Sequence, residues 1–278
     1  MRRLLPHLLR ETDVGLIRTA APNVVTTTES EPVEEALARC DSPHDFDMLP
    51  VLRNGEVVGT FWPEDVTEAE GKTVGQAMRP PRDHAVARST QISDLFPLLA
   101  QKKVLVVTGD GGMVLDGVVS YADLNRRPVR VLVYAFLSEL EGKLGESLRS
   151  AEGDPDRFLK QYGKFLNEST LGRWMKARLS GVGIHPIENS SLSDLARILS
   201  EVEGHRSKLG FQTKGEATRA FSPLAEMRNK VMHPVRLLVR SLDDAKKLDE
   251  CFNKLTHLLE RIDQRTNLVP RESEPLSD

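Results

Sequence analysis

Two short apolar runs on either side of a polar turn form the first clear pattern in the chain. Residues 48–52 and 57–61 are mostly apolar, and the turn between them contains Asn54-Gly55. An Asn-Gly pair between apolar runs is a strong signal of a β-hairpin, because both residues tolerate the positive φ that such a turn requires. A second pair of runs, 104–108 and 114–119, flanks a glycine-rich turn. The pattern therefore predicts two β-hairpins in the first half of the chain.

The two predicted hairpins belong to an internal repeat. Equivalent residues lie 58 positions apart, namely Gly59 with Gly117 and Asp65 with Asp123. An amphipathic helical pattern precedes each hairpin, over 32–40 and 93–101, and a helix start follows each, at Pro63 and at Ser120. A repeat of this length predicts two similar subdomains that face each other.

From Val129 onward the pattern changes to long, charged helices without hairpin signals. Glycine and proline clusters divide this half into helices predicted over 129–150, 155–179, 191–207, 222–240 and 242–266. The predicted fold class is therefore α+β, with tandem α/β repeats followed by an all-α helical bundle. The predicted domains cover residues 1–128 and 129–268, and a flexible tail is expected over 269–278.

Composition limits the function classes that fit this chain. Its 278 residues carry 38 Lys and Arg against 41 Asp and Glu, and 39% are hydrophobic, which is enough for packed cores. Cys40 and Cys251 lie 211 positions apart, which excludes a disulfide framework and a cysteine-based zinc motif and fits a reducing cytoplasm. No apolar run approaches the ~20 residues that cross a bilayer. We expect a cytoplasmic protein with no membrane span, no metal site and no required cofactor.

Three segments of the first half resemble a tandem pair of CBS domains, over residues 22–127. They are Leu49-Pro50-Val51 before the first turn, Val74–Met78 between the repeats, and Gly117–Leu124 at the end of the second hairpin. The resemblance implies a regulatory adenine nucleotide (AMP, ADP, ATP or a related compound), with Ser120 at its phosphate and Asp123 at its ribose. A hydroxyl at a helix start can bind a phosphate beside free backbone N–H groups. The same Ser-x-x-Asp spacing is also an ordinary capping box.

The first repeat departs from this pattern at one position. Trp62 stands where Ser120 stands in the second repeat, so the phosphate-contacting hydroxyl is missing. Asp65 remains as the counterpart of Asp123, either as a ribose-binding residue or as a helix cap. We therefore expect one competent nucleotide site rather than two.

A short motif late in the chain, Arg228-Asn229-Lys230-Val231-Met232-His233-Pro234, resembles the Arg and His motif of HEPN domains. The resemblance covers 129–268, and Glu139 and Glu141 lie where family members carry a polar residue. It implies a metal-independent endoribonuclease that acts as a homodimer, in which the 2′-hydroxyl of RNA attacks the adjacent phosphorus. His233 can exchange protons near neutral pH, and Arg228 offers a planar fork to the phosphate. Asn229 shares a helical face with His233 and can orient the imidazole or the substrate.

Other interpretations of the second half stay open. A histidine at a helix end can simply cap carbonyls, and such bundles can also bind a partner protein without catalysis. Residues 173–240 carry 12 basic and 6 acidic side chains, which fits a phosphate-tolerant surface or an ordinary solvated face. The predicted function is an endoribonuclease regulated by adenine-nucleotide binding, in toxin or stress-response biology. The alternative is a non-catalytic nucleotide-sensing regulator or scaffold whose helical domain binds a partner protein.

Overall fold

The computed structural model of the protein describes residues 4–41 and 46–267. The chain divides into two compact units, Met1–Leu132 with Leu237–Asp249, and Val133–Arg236 with Glu250–Asp278. A short segment late in the chain, Leu237–Asp249, thus belongs to the first unit. The tail predicted over 269–278 lies outside the described residues.

The first repeat is built around a three-stranded sheet. Its elements are β2 (Thr27–Thr28), α2 (Val33–Cys40), β3 (Leu49–Arg53), β4 (Glu56–Phe61) and α3 (Val74–Ala77), preceded in the chain by α1 (Leu4–Glu11) and β1 (Thr19–Ala20). Strand β3 pairs parallel with β2 and antiparallel with β4. Asn54 and Gly55 adopt φ values of 54° and 83°, as a tight hairpin turn requires. The first predicted hairpin is confirmed.

The second repeat has the same order of elements and adds a strand from the N-terminal segment. It contains β5 (Ala85–Ala87), α4 (Ile92–Leu99), β6 (Val104–Thr108) and β7 (Leu115–Ser120). Strand β6 pairs parallel with β5 and antiparallel with β7, and β1 pairs antiparallel with the free edge of β7. The predicted tandem α/β repeats are therefore confirmed.

The repeated glycines, Gly59 and Gly117, mark the same close approach in each repeat. A Cβ at Gly117 would overlap the Thr19 carbonyl oxygen on the paired strand. A Cβ at Gly59 would overlap the Met78 sulfur and lie 3.1 Å from the Arg79 carbonyl oxygen. Glycine allows the neighbouring backbone to come this near because it has no side chain to accommodate.

The segment after each hairpin is shorter than the predicted helix. Pro63–Asp65 and Tyr121–Asn125 each form a single 3-10 turn. The first turn ends because Val66 is extended, with ψ 106°, and the second because Arg126 is extended, with ψ 153°. These two short turns carry the predicted nucleotide-binding residues.

The apolar residues of the first unit form packed clusters around the two sheets. One cluster joins α2 to the first sheet and includes Val33, Leu49 and Phe61, all fully buried. Another joins Trp62 of the first repeat to Val106 of the second. Burying each such side chain stabilises the fold by about 1.5–3 kcal/mol.

The second half is helical, as predicted, although several helices are interrupted. The helices are α5 (Arg127–Ala151), α6 (Pro155–Tyr162), α7 (Glu168–Leu179), α8 (Leu192–Glu201), α9 (Glu203–Lys208), α10 (Lys214–Met232) and α11 (Leu242–Asn267). The helix predicted over 155–179 breaks at a 3-10 turn, Gly163–Phe165, and the one over 191–207 breaks at Val202, where ψ is 112°. The overall fold class, tandem α/β repeats followed by an all-α region, is confirmed.

The helix predicted over 222–240 is wrong at both ends. Helix α10 begins earlier because the Thr213 hydroxyl caps it by accepting a hydrogen bond from the Glu216 N–H at 3.1 Å. It ends at Met232 because Pro234 disfavours helical backbone in the residue before it, and His233 has φ −109° and ψ 90°. His233 therefore lies beyond the last helical residue.

Candidate functional site

Ser120 and Asp123 meet at the turn that follows β7. The Asp123 Oδ2 accepts hydrogen bonds from the Ser120 backbone N–H at 2.8 Å and from its hydroxyl at 3.0 Å. This is the capping-box geometry that the sequence spacing also predicts. The Asp123 side chain is 13% exposed. The two predicted residues are therefore brought together, with the carboxylate near the surface.

An arginine that the sequence analysis did not single out completes this cluster. Arg126 places its Nε 2.7 Å from the Asp123 Oδ1. Its other nitrogens donate to the Arg18 carbonyl and the Thr19 hydroxyl, both at 3.3 Å. The turn thus combines a hydroxyl, a carboxylate and a guanidinium group, which together suit the hydroxyls and phosphates of a nucleotide. We call Ser120, Asp123 and Arg126 the second-repeat cluster.

The corresponding turn of the first repeat is filled by the chain's own side chains. Asp65 accepts two hydrogen bonds from Arg79, one of them from Nε at 2.5 Å. The same guanidinium group lies 5.0 Å from the centre of the Trp62 ring, and the Trp62 Nε1 donates to the Thr60 hydroxyl at 3.0 Å. Trp62 is 4% exposed. Asp65 is therefore the partner of an arginine at this position.

His84 also packs against Trp62. The two ring centres are 5.0 Å apart. Burial lowers the pKa of His84 below its ordinary value, and the nearby positive charges of Lys102 and Arg79 act in the same direction. The imidazole is therefore held in a setting that favours its neutral form.

In the second unit, Arg228 lies against one of the two predicted acidic partners. Its Nε donates to the Glu141 Oε1 at 3.2 Å, and the two side chains are 30% and 22% exposed. The same Glu141 oxygen accepts the Leu192 N–H at 3.1 Å, at the first residue of α8. Glu139 instead faces Lys143 at 3.4 Å. Glu141 thus has a structural role as well as its contact with Arg228.

Asn229 and His233 are both exposed. The prediction that they share a helical face is wrong, because the helix ends between them at Met232. The His233 carbonyl accepts the Arg236 N–H at 2.9 Å in the turn that follows. Val235, within this turn, is 91% exposed. The end of α10 therefore presents polar and apolar groups together on an accessible segment.

A buried carboxylate in the second unit has a role that the sequence analysis did not assign. Asp194 accepts hydrogen bonds from the Asn167 N–H at 2.8 Å, the Thr170 hydroxyl at 2.8 Å and the Ser191 N–H at 3.0 Å. Although burial raises its pKa, these bonds outweigh burial and leave the pKa below its ordinary value. The Ser191-x-x-Asp194 spacing was the available signal, since it is that of a capping box.

A cavity of about 410 Å³ in the second unit is another feature that the sequence did not indicate. Its lining includes Trp174, Arg178, Asp156 and the buried His185. Arg178 donates to the Asp156 carboxylate at 2.5 Å and lies 5.1 Å from the centre of the Trp174 ring. Trp174 and Arg178 lie four residues apart on α7, but Asp156 lies on α6 and His185 lies after α7. No single local spacing therefore predicts the cavity.

Over residues 4–41 and 46–267, no group of three or more His, Cys, Asp or Glu side chains is arranged to hold a metal ion. Within that same part of the chain, no helix combines the length and the apolar character needed to span a membrane.

Comparison with known proteins finds similarity among solved structures. No protein-family model matches the sequence, and no curated protein matches it. The CBS domain of a bacterial CNNM/CorC family Mg²⁺ transporter, in complex with ATP, is 23% identical, with a TM-score of 0.37, and the match covers 46% of this chain and 96% of that one. CBSX2 from Arabidopsis thaliana is 24% identical, with a TM-score of 0.39, covering 43% of this chain and 96% of that one. A structure of CBSX2 with AMP has the same identity and a TM-score of 0.38, covering 43% and 98%. Each covers less than half of this chain.

Proposed function

We propose that the first unit is an adenine-nucleotide sensor that binds one nucleotide at the second-repeat cluster. The observation that carries this proposal is the meeting of a hydroxyl, a carboxylate and a guanidinium group at the turn after β7. A carboxylate accepts hydrogen bonds from both hydroxyls of a ribose. A guanidinium group and a hydroxyl donate to phosphate oxygens. The cluster therefore supplies partners for both polar parts of a nucleotide.

Nucleotide binding at this cluster requires an exchange of partners. Asp123 is now bonded to Ser120 and Arg126, and a ribose competes with both for the carboxylate oxygens. Arg126 then becomes available to the phosphate, which suits its planar fork of donors. The protein's internal ion pair is replaced by two contacts with the ligand, so the net gain depends on how well the nucleotide completes both.

The first repeat lacks the free hydroxyl and the same polar groups for this ligand. Trp62 occupies the position of the hydroxyl, and Arg79 holds the Asp65 carboxylate. We therefore expect one nucleotide for each chain.

Isothermal titration calorimetry with AMP, ADP and ATP tests the sensor directly; AMP and ATP are the ligands of the CBSX2 and Mg²⁺ transporter structures named above. Wild type should bind one of the three with a stoichiometry of one. Asp123→Asn should weaken binding by on the order of tenfold or more, since a charge-assisted hydrogen bond contributes about 1.5–3 kcal/mol. Asp65→Asn is the matched control and should leave the affinity unchanged. Binding that is equally strong in Asp123→Asn would contradict the proposed site.

A second candidate function concerns the end of α10. We propose that the helical unit cleaves RNA without a metal, as a homodimer, because Asn229 and His233 are exposed and Arg228, close to them in the sequence, is partly accessible. His233 would accept the proton of the RNA 2′-hydroxyl while the oxygen attacks phosphorus. The P–O bond to the 5′-oxygen would break, and the leaving 5′-oxygen would take a proton from water. Arg228 would stabilise the charge that develops on the phosphate. The products would be a cyclic phosphate and a 5′-hydroxyl end.

This second candidate is tested with single-stranded RNA in EDTA, with and without the nucleotide that binds. Cleavage by wild type should be lost in both Arg228→Ala and His233→Ala, whereas His257→Ala, an exposed histidine elsewhere in the second unit, should remain active. Sedimentation velocity measures the expected homodimer in parallel. Equal cleavage by wild type and His233→Ala would reveal a contaminating nuclease. A protein that binds nucleotide but leaves RNA intact would favour the non-catalytic regulator, with the exposed Val235 segment as a surface for a partner protein.

A further inference from the structure

Asn125, between the two charged residues of the second-repeat cluster, grips a distant part of the chain. Its Oδ1 accepts hydrogen bonds from the Leu238 N–H at 2.7 Å and from the Val239 N–H at 3.1 Å. Its Nδ2 donates to the Val239 carbonyl at 2.7 Å and to the Ala122 carbonyl at 3.0 Å. One amide side chain thus binds the backbone of residues 238–239 through three hydrogen bonds. We call this arrangement the Asn125 clamp.

The clamped segment is well packed and lies within the first unit. Leu238 and Val239 are 2% and 1% exposed, and Leu237–Asp249 belongs to the same unit as the cluster. The segment follows the exposed end of α10 directly in the chain, since His233 and Val235 precede it. The clamped residues 238–239 are therefore the part of this segment that the first unit holds in place.

The clamp shares one short turn with the proposed ligand site. Asp123 and Arg126 lie on either side of Asn125, and the Asn125 carbonyl accepts a hydrogen bond from Arg130 Nε at 3.3 Å. A single 3-10 turn has too few residues for its members to move independently. A partner exchange at Asp123 and Arg126 therefore takes place within two residues of Asn125 on the same turn.

We propose that Asn125 is a positioning residue that couples nucleotide binding to the segment 237–239. This inference rests on the proposed nucleotide site and adds a route by which occupancy is transmitted. Opening of the clamp requires the turn to open, and an open turn does not hold the ligand. Bound nucleotide should therefore suppress the opening of residues 238–239 by mass action.

Hydrogen exchange at the Leu238 and Val239 amides measures the clamp directly, because these two N–H groups are its donors. The experiment uses the full chain with and without the nucleotide that titrates, at a concentration of about 100 times the Kd. In wild type, exchange at both amides should slow by up to on the order of 100-fold, the limit that linkage sets when the two openings are fully coupled. Amides of α8, in the second unit, serve as an internal reference and should change little.

Two variants distinguish the role of the Asn125 side chain from that of the neighbouring ligand-binding residues. Asn125→Ala should still bind nucleotide, within a few fold of wild type, but should lose the ligand-dependent slowing at residues 238–239. Asn125→Asp keeps the acceptor for both N–H groups but loses the donor to the Val239 carbonyl. It should therefore retain part of the slowing, which also guards against a folding defect in the alanine variant. If Asn125→Ala retains the full effect, Asn125 is not the coupling residue.

The failure of the coupling and the failure of the site give different results. If wild type binds no adenine nucleotide in the titration, the proposed function is overturned and the coupling falls with it. If wild type binds nucleotide and exchange at residues 238–239 is unchanged, the site stands and the coupling is overturned.

Discussion

In the first repeat the turn after β4 begins with Trp62, and in the second the turn after β7 begins with Ser120. Both turns place an aspartate three residues later, and both aspartates meet an arginine. The arginines reach them from different places. Arg126 belongs to the chain just after its own turn, whereas Arg79 comes from the backbone that pairs with β4.

The sheet register makes this difference interpretable. Thr60 pairs with Arg79 in the first repeat, and Val118, its repeat equivalent, pairs with Thr19 in the second. The same backbone position therefore carries a long cation in one repeat and a short hydroxyl in the other. Arg79 reaches the Asp65 carboxylate and covers the Trp62 ring. Thr19, at the equivalent position, does not reach the equivalent carboxylate, Asp123. Two side chains at equivalent backbone positions thus give the two turns different polar partners.

The largest expected effect comes from copying the first repeat into the second. Ser120→Trp combined with Thr19→Arg should weaken nucleotide binding by on the order of 100-fold, or about 2.7 kcal/mol, because it removes the hydroxyl and adds a second arginine that competes for Asp123. Calorimetry measures the affinity, and an unchanged melting temperature shows that the fold is intact. Binding within threefold of wild type would mean that these positions do not distinguish the two repeats.

A smaller effect should separate the two repeat glycines. Gly117→Ala places a methyl group against the rigid Thr19 backbone, and Gly59→Ala places one chiefly against the flexible Met78 side chain. Overpacking typically costs about 1–3 kcal/mol, so we expect about 2 kcal/mol for Gly117→Ala and about 1 kcal/mol for Gly59→Ala. Urea unfolding in a Trp174→Phe background measures the loss in free energy of unfolding for each variant. In that background the fluorescence of Trp62 reports the first unit.

Gly111→Ala is the control for that comparison. An added Cβ there has no atom within 4 Å among those considered, so its free energy of unfolding should stay close to that of wild type. If Gly59→Ala and Gly117→Ala lower the free energy of unfolding equally, the Met78 side chain cannot move aside.

Local spacing explains which parts of this arrangement are predictable from sequence. The hairpin at Asn54-Gly55 and the Ser120–Asp123 pair depend on neighbours within a few residues, so the sequence pattern suffices to predict them. The Asn125 clamp joins residues 113 and 114 positions apart, and no local pattern encodes such a contact. The end of α10 was predictable in principle, since Pro234 disfavours a helical His233, but the charged amphipathic pattern continues through it.

A smaller stability effect is expected from Arg79. Its contacts with Asp65 and Trp62 lie at a partly exposed position, where ion pairs and cation–π contacts each contribute no more than about 1 kcal/mol. Arg79→Ala should therefore lower the free energy of unfolding of the first unit by about 1 kcal/mol or less and leave nucleotide affinity unchanged. Arg126→Ala should instead have weaker nucleotide binding as its main effect and a smaller effect on the free energy of unfolding. If Arg79→Ala weakens binding more than Arg126→Ala does, the two sites have been assigned the wrong way round.

The smallest effect is a pH dependence confined to the first repeat's filled site. The pKa of His84 is lowered from 6.5 in the folded protein, mainly by burial, with Lys102 and Arg79 adding to burial and with Asp83 and Asp65 opposing it. As the pH falls below about 6.5 the unfolded chain takes up this proton first, so the stabilisation present above that pH is progressively lost. Wild type should therefore be less stable at pH 5.5 than at pH 7.5, and His84→Gln should show a smaller difference.

The Trp174→Phe background keeps the fluorescence signal on the first unit, because His185 and His205 of the second unit also have lowered pKa values. The turn after β7 contains no histidine. If wild type and His84→Gln show the same pH dependence, its origin is not His84 and lies outside the feature that distinguishes the two repeats.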